Sequence, residues 1–248
     1  MMEYNKDSFI LGEPIKTEVG TIRFLKYREY IHNLPELSLM AMNTLHIYYY
    51  NRNQYDKKFQ LDDPEIIKFL SDLKSAKLIE IILSDRIMLE SYIKIFSLVI
   101  DNCDEELLEM IFRDEELFMR VRDLILSMQM LSESEVSPNE EIQSFIDASR
   151  EIKQQEAEKQ TYSDILSTIV VGTGIDYDIV LNWNVLRVYA TFYRISAFKN
   201  SDVTALFATV TDKVQFETWQ KHIDLFEKEK AGMKMSEFNK KFGSLFSK

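Results

Sequence analysis

The stretch IMLESYIKIFSLVI at residues 87–100 decides the fold class. Its apolar residues Leu89, Tyr92, Ile93, Phe96, Val99 and Ile100 recur at steps of three and four, the spacing of one face of an α-helix. Glu90, Ser91, Lys94 and Ser97 interrupt the run. A membrane-spanning helix needs about 18 uninterrupted apolar residues, so this segment reads as an amphipathic helix on a protein core. Leu117, Val121, Leu124, Met128 and Leu131 repeat the pattern, and the two helices are expected to face a common core.

Working outward, helix signals continue on both sides. From Tyr27 the apolar spacing turns helical, with Pro35 placed as the first residue of a helix running through Leu45 and Tyr48. Asp62-Asp63-Pro64-Glu65 predicts another helix start: an acidic cap, a proline in the first turn and a negative charge at the positive dipole end. That helix is expected to turn Ile66, Phe69, Leu70 and Leu73 inward. Near the N-terminus, Ile15, Thr17, Val19, Thr21, Ile22 and Phe24 around Gly20 predict two short strands turning near Glu18-Val19-Gly20. With only six glycines and four prolines in 248 residues, little else interrupts the helices. The fold class is therefore mainly α, a multi-helix bundle with a short N-terminal β-hairpin.

The polar run from Ser132 to Asn139 reads as a loop. A helix follows with Ile142, Phe145, Ile146 and Ile152 on its apolar side, and its continuation to Gln160 offers the core only Ala157, so it is solvated or bridges two parts. Thr161 with Asp164 resembles a capping box opening an apolar helix that ends at Gly172. The expected organisation is a hairpin plus helical domain over 1–131, a polar loop and connecting helix over 132–160, and a helical region over 161–248, which together can form one continuous domain. From about Asn182 to Phe198 two apolar stripes share one helix, a pattern used between layers or in an interface. Beyond it, Phe216, Trp219, Ile223 and Phe226 form one stripe and Met235, Phe238, Phe242 and Leu245 another, predicting small terminal amphipathic helices.

Composition narrows the function classes. Apolar residues make up 46% of the chain, ample for a core. Acidic residues outnumber basic ones 41 to 30, and the net charge of −11 repels a phosphate backbone, so no nucleic acid is expected as partner. Glu3, Lys6 and Asp7 stand where a signal peptide needs a basic start and an apolar block, and no membrane association is expected. Cys103 is the only cysteine, which removes intrachain disulfides and thiolate metal clusters within the chain.

Catalytic chemistry finds little to stand on. Val170-Val171-Gly172-Thr173-Gly174 has glycines that could admit a phosphate, yet it follows a helix and lacks a third glycine, so a helix C-cap is the reading preferred. His32, His46 and His222 have no nucleophile motif beside them, and Cys103 lies in an acidic stretch that would raise its pKa. Residues 101–141 hold thirteen acids against three arginines but no calcium-loop pattern. They read as a solvated helical face, with an acidic docking surface for a basic partner as the alternative. No catalytic residue, cofactor or metal is expected, and the chain is read as a binding protein, not an enzyme.

Eleven methionines and sixteen phenylalanines carry more weight, because methionine adapts to irregular apolar surfaces and suits proteins that hold helical clients. The candidate partner-binding residues are Trp219, Ile223, Phe226, Met235, Phe238 and Phe242. The terminal stripes that carry them either dock back on the body or capture a partner.

Several words of the sequence resemble a known group: Ser163-Asp164-Ile165, Ile169-Val170-Val171-Gly172-Thr173-Gly174-Ile175 and Tyr189-Ala190-Thr191-Phe192-Tyr193-Arg194-Ile195. Further words are Phe198-Lys199-Asn200, Leu206-Phe207-Ala208-Thr209-Val210, Trp219 through Phe226 and Phe238 through Phe246, with Pro14 through Phe24 at the other end. Together they are similar to tail assembly chaperones of phages that infect Gram-positive bacteria. The resemblance implies a largely helical, self-associating protein in the cytoplasm of the infected host. It would coat the apolar tape-measure protein, keep it soluble, and leave as the tail-tube protein, a second expected partner, polymerises. A structural tail or baseplate subunit retained in the virion is the alternative. The resemblance supplies no catalytic or ligand residue.

Overall fold

Antiparallel pairing of Ile15 with Ile22, Lys16 with Thr21 and Thr17 with Gly20 places strands β1 (Ile15–Thr17) and β2 (Gly20–Ile22) around a turn at Glu18-Val19. In this computed structural model, which describes residues 6–58, 60–133, 136–156, 160–210 and 218–226, the hairpin is the one sheet among the described residues. Gly20 has φ +106°, a backbone conformation that glycine adopts without steric cost, and the Thr17 hydroxyl donates to its carbonyl at 2.8 Å. Val19, the apolar tip, is buried.

Twelve helices follow among the described residues: α1 (Tyr27–His32), α2 (Leu34–Met40), α3 (Thr44–Asp56), α4 (Pro64–Ser75), α5 (Leu78–Ser84), α6 (Arg86–Val99), α7 (Glu105–Arg113), α8 (Glu115–Met128), α9 (Glu140–Glu156), α10 (Tyr162–Thr173), α11 (Tyr177–Leu181) and α12 (Val185–Ala208). The mainly α class with a short hairpin is what the apolar periodicity required. The chain divides into two compact units, Met1–Ser134 with Thr161–Leu225, and Glu135–Gln160 with Phe226–Lys248.

In the first unit α6 is the central element. Met88, Tyr92, Ile95, Phe96 and Val99 are buried against α2 and α5, and Ile22 and Arg23 of the hairpin exit bond to the end of α6. Tyr92, Phe96, Phe112 and Phe118 join α6, α7 and α8 in one aromatic cluster, with ring centroids 5.4–6.3 Å apart. Short polar residues start most helices. Asn43, Asp63, Asp85, Asp104, Asp114, Asp176 and Asn184 each accept a backbone N–H of the first turn, so two acids of the 101–141 run, Asp104 and Asp114, serve as caps.

At four places the structure departs from the sequence reading. Pro35 is the second residue of α2, and the helix expected to run through Tyr48 stops at Met40. Asn43 then caps a new helix by accepting from His46 N–H, while Arg122 takes the carbonyls of Met40 and Met42. Phe69 is exposed on α4, its ring edge-on to Tyr55 at 6.1 Å, while Leu70 and Leu73 supply the buried face. The apolar helix from Thr161 runs one residue past Gly172, and the left-handed residue that ends it is Gly174, at φ +72°. Finally, α12 continues ten residues beyond Phe198 to Ala208.

Arg122 on α8 is fully buried. Its Nε donates to the Met40 carbonyl and the Tyr92 hydroxyl, both at 3.0 Å; Nη2 donates to the Met42 carbonyl at 3.0 Å; Nη1 faces the carboxylates of Glu133 and Asp123. One cation thus ties the broken α2–α3 junction to α6 and to the chain leaving α8. Burial pushes the Tyr92 hydroxyl up to about 12, against the pull of Arg122, so it stays protonated and donates to the Met40 carbonyl at 3.3 Å.

The second unit contributes α9 and its lead-in. Asn139 caps α9 by accepting from Glu141 N–H, and the Gln143 side chain accepts from Ser137 N–H at 2.8 Å while donating to Asp147. Ile142 and Phe145 are exposed on this helix.

Candidate functional site

Helix α12 is 24 residues long, and its two halves have different surroundings. The first half packs one face against the body. Asn184 caps it through Arg187 N–H and donates its side-chain amide to the Phe9 carbonyl at 2.7 Å, while Tyr27 N–H donates to the Trp183 carbonyl at 2.7 Å. Val185, Leu186, Val188 and Phe192 are buried. Tyr27 on α1 packs against Tyr30, Tyr162 of α10 and Tyr189 of α12 at centroid distances of 6.0–6.5 Å. Burial raises both the Tyr27 and Tyr30 hydroxyls well above the ordinary tyrosine value, so neither ionises near neutral pH. At Gly172 the backbone of α10 comes so close to α12 that a Cβ would lie 3.0 Å from Ile195 Cδ1.

The second half carries apolar side chains outward. Val203, Leu206, Phe207 and Val210 are 53, 72, 55 and 79% exposed. Their spacing, i, i+3, i+4 and i+7, puts them on one side of the helix and the turn that ends it. Each position stands above its neighbour one turn away, so the four form a continuous apolar seam along one helix face. Between Lys199 and Val210 the only charged side chains are Lys199 and Asp202, so the seam is locally neutral in a chain of net charge −11.

Beside it, a segment returns along α12. The Arg194 guanidinium donates to the carbonyls of Trp219 and Lys221, and the Trp219 ring meets Phe198 edge-on at 5.5 Å. Between the helix and this segment lies a cleft of about 480 Å³ lined by Asn200, Ser201, Thr204, Trp219, His222 and Ile223, among others. His222 and Ser201 both line it, and no hydrogen bond joins them. The cleft therefore has mixed polar and apolar walls without an assembled nucleophile and base. Cys103 lies elsewhere, near the end of α6, and burial raises its thiol pKa, with the Asp104 charge adding to the rise.

Of the six residues singled out by sequence, Trp219 and Ile223 come together at this cleft. They do not sit on a helix as the stripe predicted: residues 218–226 form turns, a bend and irregular chain, and Arg194 binds the carbonyls of Trp219 and Lys221. Phe226 is half-exposed and belongs to the second unit, and Met235, Phe238 and Phe242 lie outside the described residues. The seam residues Val203, Leu206, Phe207 and Val210 were not selected, although their i, i+3, i+4, i+7 spacing is readable. No helix among the described residues is long and apolar enough to cross a membrane.

Fold and surface together define a mainly helical protein that carries an exposed apolar seam on the second half of α12. The YomV N-terminal domain matches residues 3–138 and the YomV second domain residues 153–224. The chain belongs to the YomV family. It is 36% identical over 227 residues to the SPbeta prophage-derived uncharacterized protein YomV of Bacillus subtilis (strain 168), covering 90% of this chain and 91% of that protein. No solved structure matches it. Kinship with a phage-derived protein, the broader part of the sequence resemblance, therefore stands.

Proposed function

We propose that the chain is a non-enzymatic tail assembly chaperone that binds the tape-measure protein of its phage in the cytoplasm of the infected bacterium. It keeps that long apolar client soluble and gives way as the tail-tube protein polymerises. The observation that carries this reading is the exposed seam on α12: apolar side chains held outward by a helix whose other half is locked into the body. A single exposed leucine would mean nothing, whereas a contiguous helical stripe marks a protein-binding surface. The chain's net charge of −11 adds the solubility such a complex needs. The prophage origin of the relative supports the setting.

The test is an affinity pull-down of the tagged chain from infected cells, paired with mass spectrometry of purified virions. Tape-measure peptides should co-purify from the lysate, and the chain should be missing from the finished particle. Stoichiometric amounts in the virion would replace this reading with that of a structural tail or baseplate subunit.

A further inference from the structure

We infer that the C-terminal half of α12 is the client-docking surface, and that its occupant is an amphipathic helix of a separate polypeptide, seated on Val203, Leu206, Phe207 and Val210. This rests on the chaperone reading and adds to it the surface and the form in which the client is held. From Val203 to Val210 is seven residues, or about 10 Å at the α-helical rise, so two to three turns of a partner helix cover the seam. The matching face carries Leu, Ile, Met or Phe at i, i+3, i+4 and i+7.

Size and charge select this occupant over a second copy. The four side chains expose on the order of 400 Å², within the range of functional patches on monomers and about half of the roughly 800 Å² per partner of a standard interface. A single helix is served by that area, and a pair of whole protomers is not. Each copy also carries −11, so two copies repel at long range, while a client helix with basic flanks is drawn in and one with neutral flanks is not repelled. The seam itself, with one lysine and one aspartate nearby, asks for no ion pair and leaves discrimination to apolar shape.

The experiment co-expresses the full chain, or its Leu206→Glu/Val210→Glu variant, with the tape-measure protein of the same phage. In a third arm, the photo-cross-linker p-benzoylphenylalanine replaces Leu206 in the otherwise unaltered chain. Both substituted side chains are more than 70% exposed, so the variant should melt with the wild type. It should recover at least about tenfold less co-eluting client, the loss expected from removing two apolar contacts. Cross-links should fall in a client segment with the stated spacing. A wild-type complex that persists in the variant would overturn the seam and leave the chaperone reading standing. No wild-type complex at all would remove both. Cross-links joining two copies, or closing within one chain, would also overturn the proposal, and this arm decides should the variant misfold.

Discussion

Arg122→Ala removes a guanidinium whose donors reach five oxygens, those of Met40, Met42, Tyr92, Asp123 and Glu133. Three of these acceptors are not carboxylates and have no other cation offered to them by the network. The Met40 carbonyl keeps the Tyr92 hydroxyl at 3.3 Å, but the Met42 carbonyl loses its guanidinium donor. An orphaned buried acceptor costs about 1–3 kcal/mol; the Asp123 and Glu133 carboxylates left behind are 63% and 36% exposed and stay hydrated, so the packing lost with this large buried side chain brings the total to about 3–5 kcal/mol. For a chain of this size each kcal/mol moves Tm by roughly 2–4 °C, so a fall of about 6–20 °C is expected. Arg122→Met, which restores length without donors, should recover the packing part and still lose about 1–3 kcal/mol. The assay is urea unfolding followed by circular dichroism, with the slope checked for two-state behaviour. A loss below about 1 kcal/mol for the alanine variant would show that the α2–α3 junction does not depend on Arg122.

Gly174→Ala should cost about 1–2 kcal/mol by thermal melt, because φ +72° is strained for alanine while nothing lies within 4 Å of the new Cβ. A neutral result would mean that the end of α10 re-forms without the left-handed cap. Gly172→Val should destabilise by about 1–3 kcal/mol, since its side chain enters space held by Ile195 and α10 must move off α12. For Glu29, burial opposes ionisation, but the hydrogen bonds from Arg23 and from Lys26 N–H outweigh it and hold the carboxyl below its ordinary value. A lowered folded pKa gives stability that is present above the unfolded value of about 4.3 and is lost as pH falls through the folded one. Glu29→Gln should therefore flatten part of the acid arm of a Tm-against-pH profile, and an unchanged arm would refute the assignment.

What the sequence made legible was local. Asp63-Pro64 and Thr161 with Asp164 announce helix starts through contacts three residues or fewer apart, and the hairpin turn is set by the residues beside Gly20. The break after Met40 was hidden because its second cause, Arg122, lies 80 residues away along the chain from Met42. An arginine on an amphipathic helix reads as solvent-facing, and only tertiary packing makes it a buried pin. The full length of α12 was not legible because the polar run Lys199-Asn200-Ser201-Asp202 follows the apolar stripes, yet Lys199, Asn200 and Asp202 face solvent while Ser201 stays buried, so the helix continues through it. For the candidate site, apolar spacing singles out Trp219 and Ile223, which line the cleft beside α12, although the conformation carrying them is not the helix that spacing implies. The seam was written in the same code and passed over, since exposure is invisible in a sequence.

The most direct test of the central claim is co-expression of this chain with the tape-measure protein of the same phage, followed by size-exclusion chromatography with light scattering. The account predicts a soluble co-eluting complex from a client that is insoluble alone, with a mass that gives the stoichiometry. A client that stays insoluble while this chain elutes unbound would contradict it.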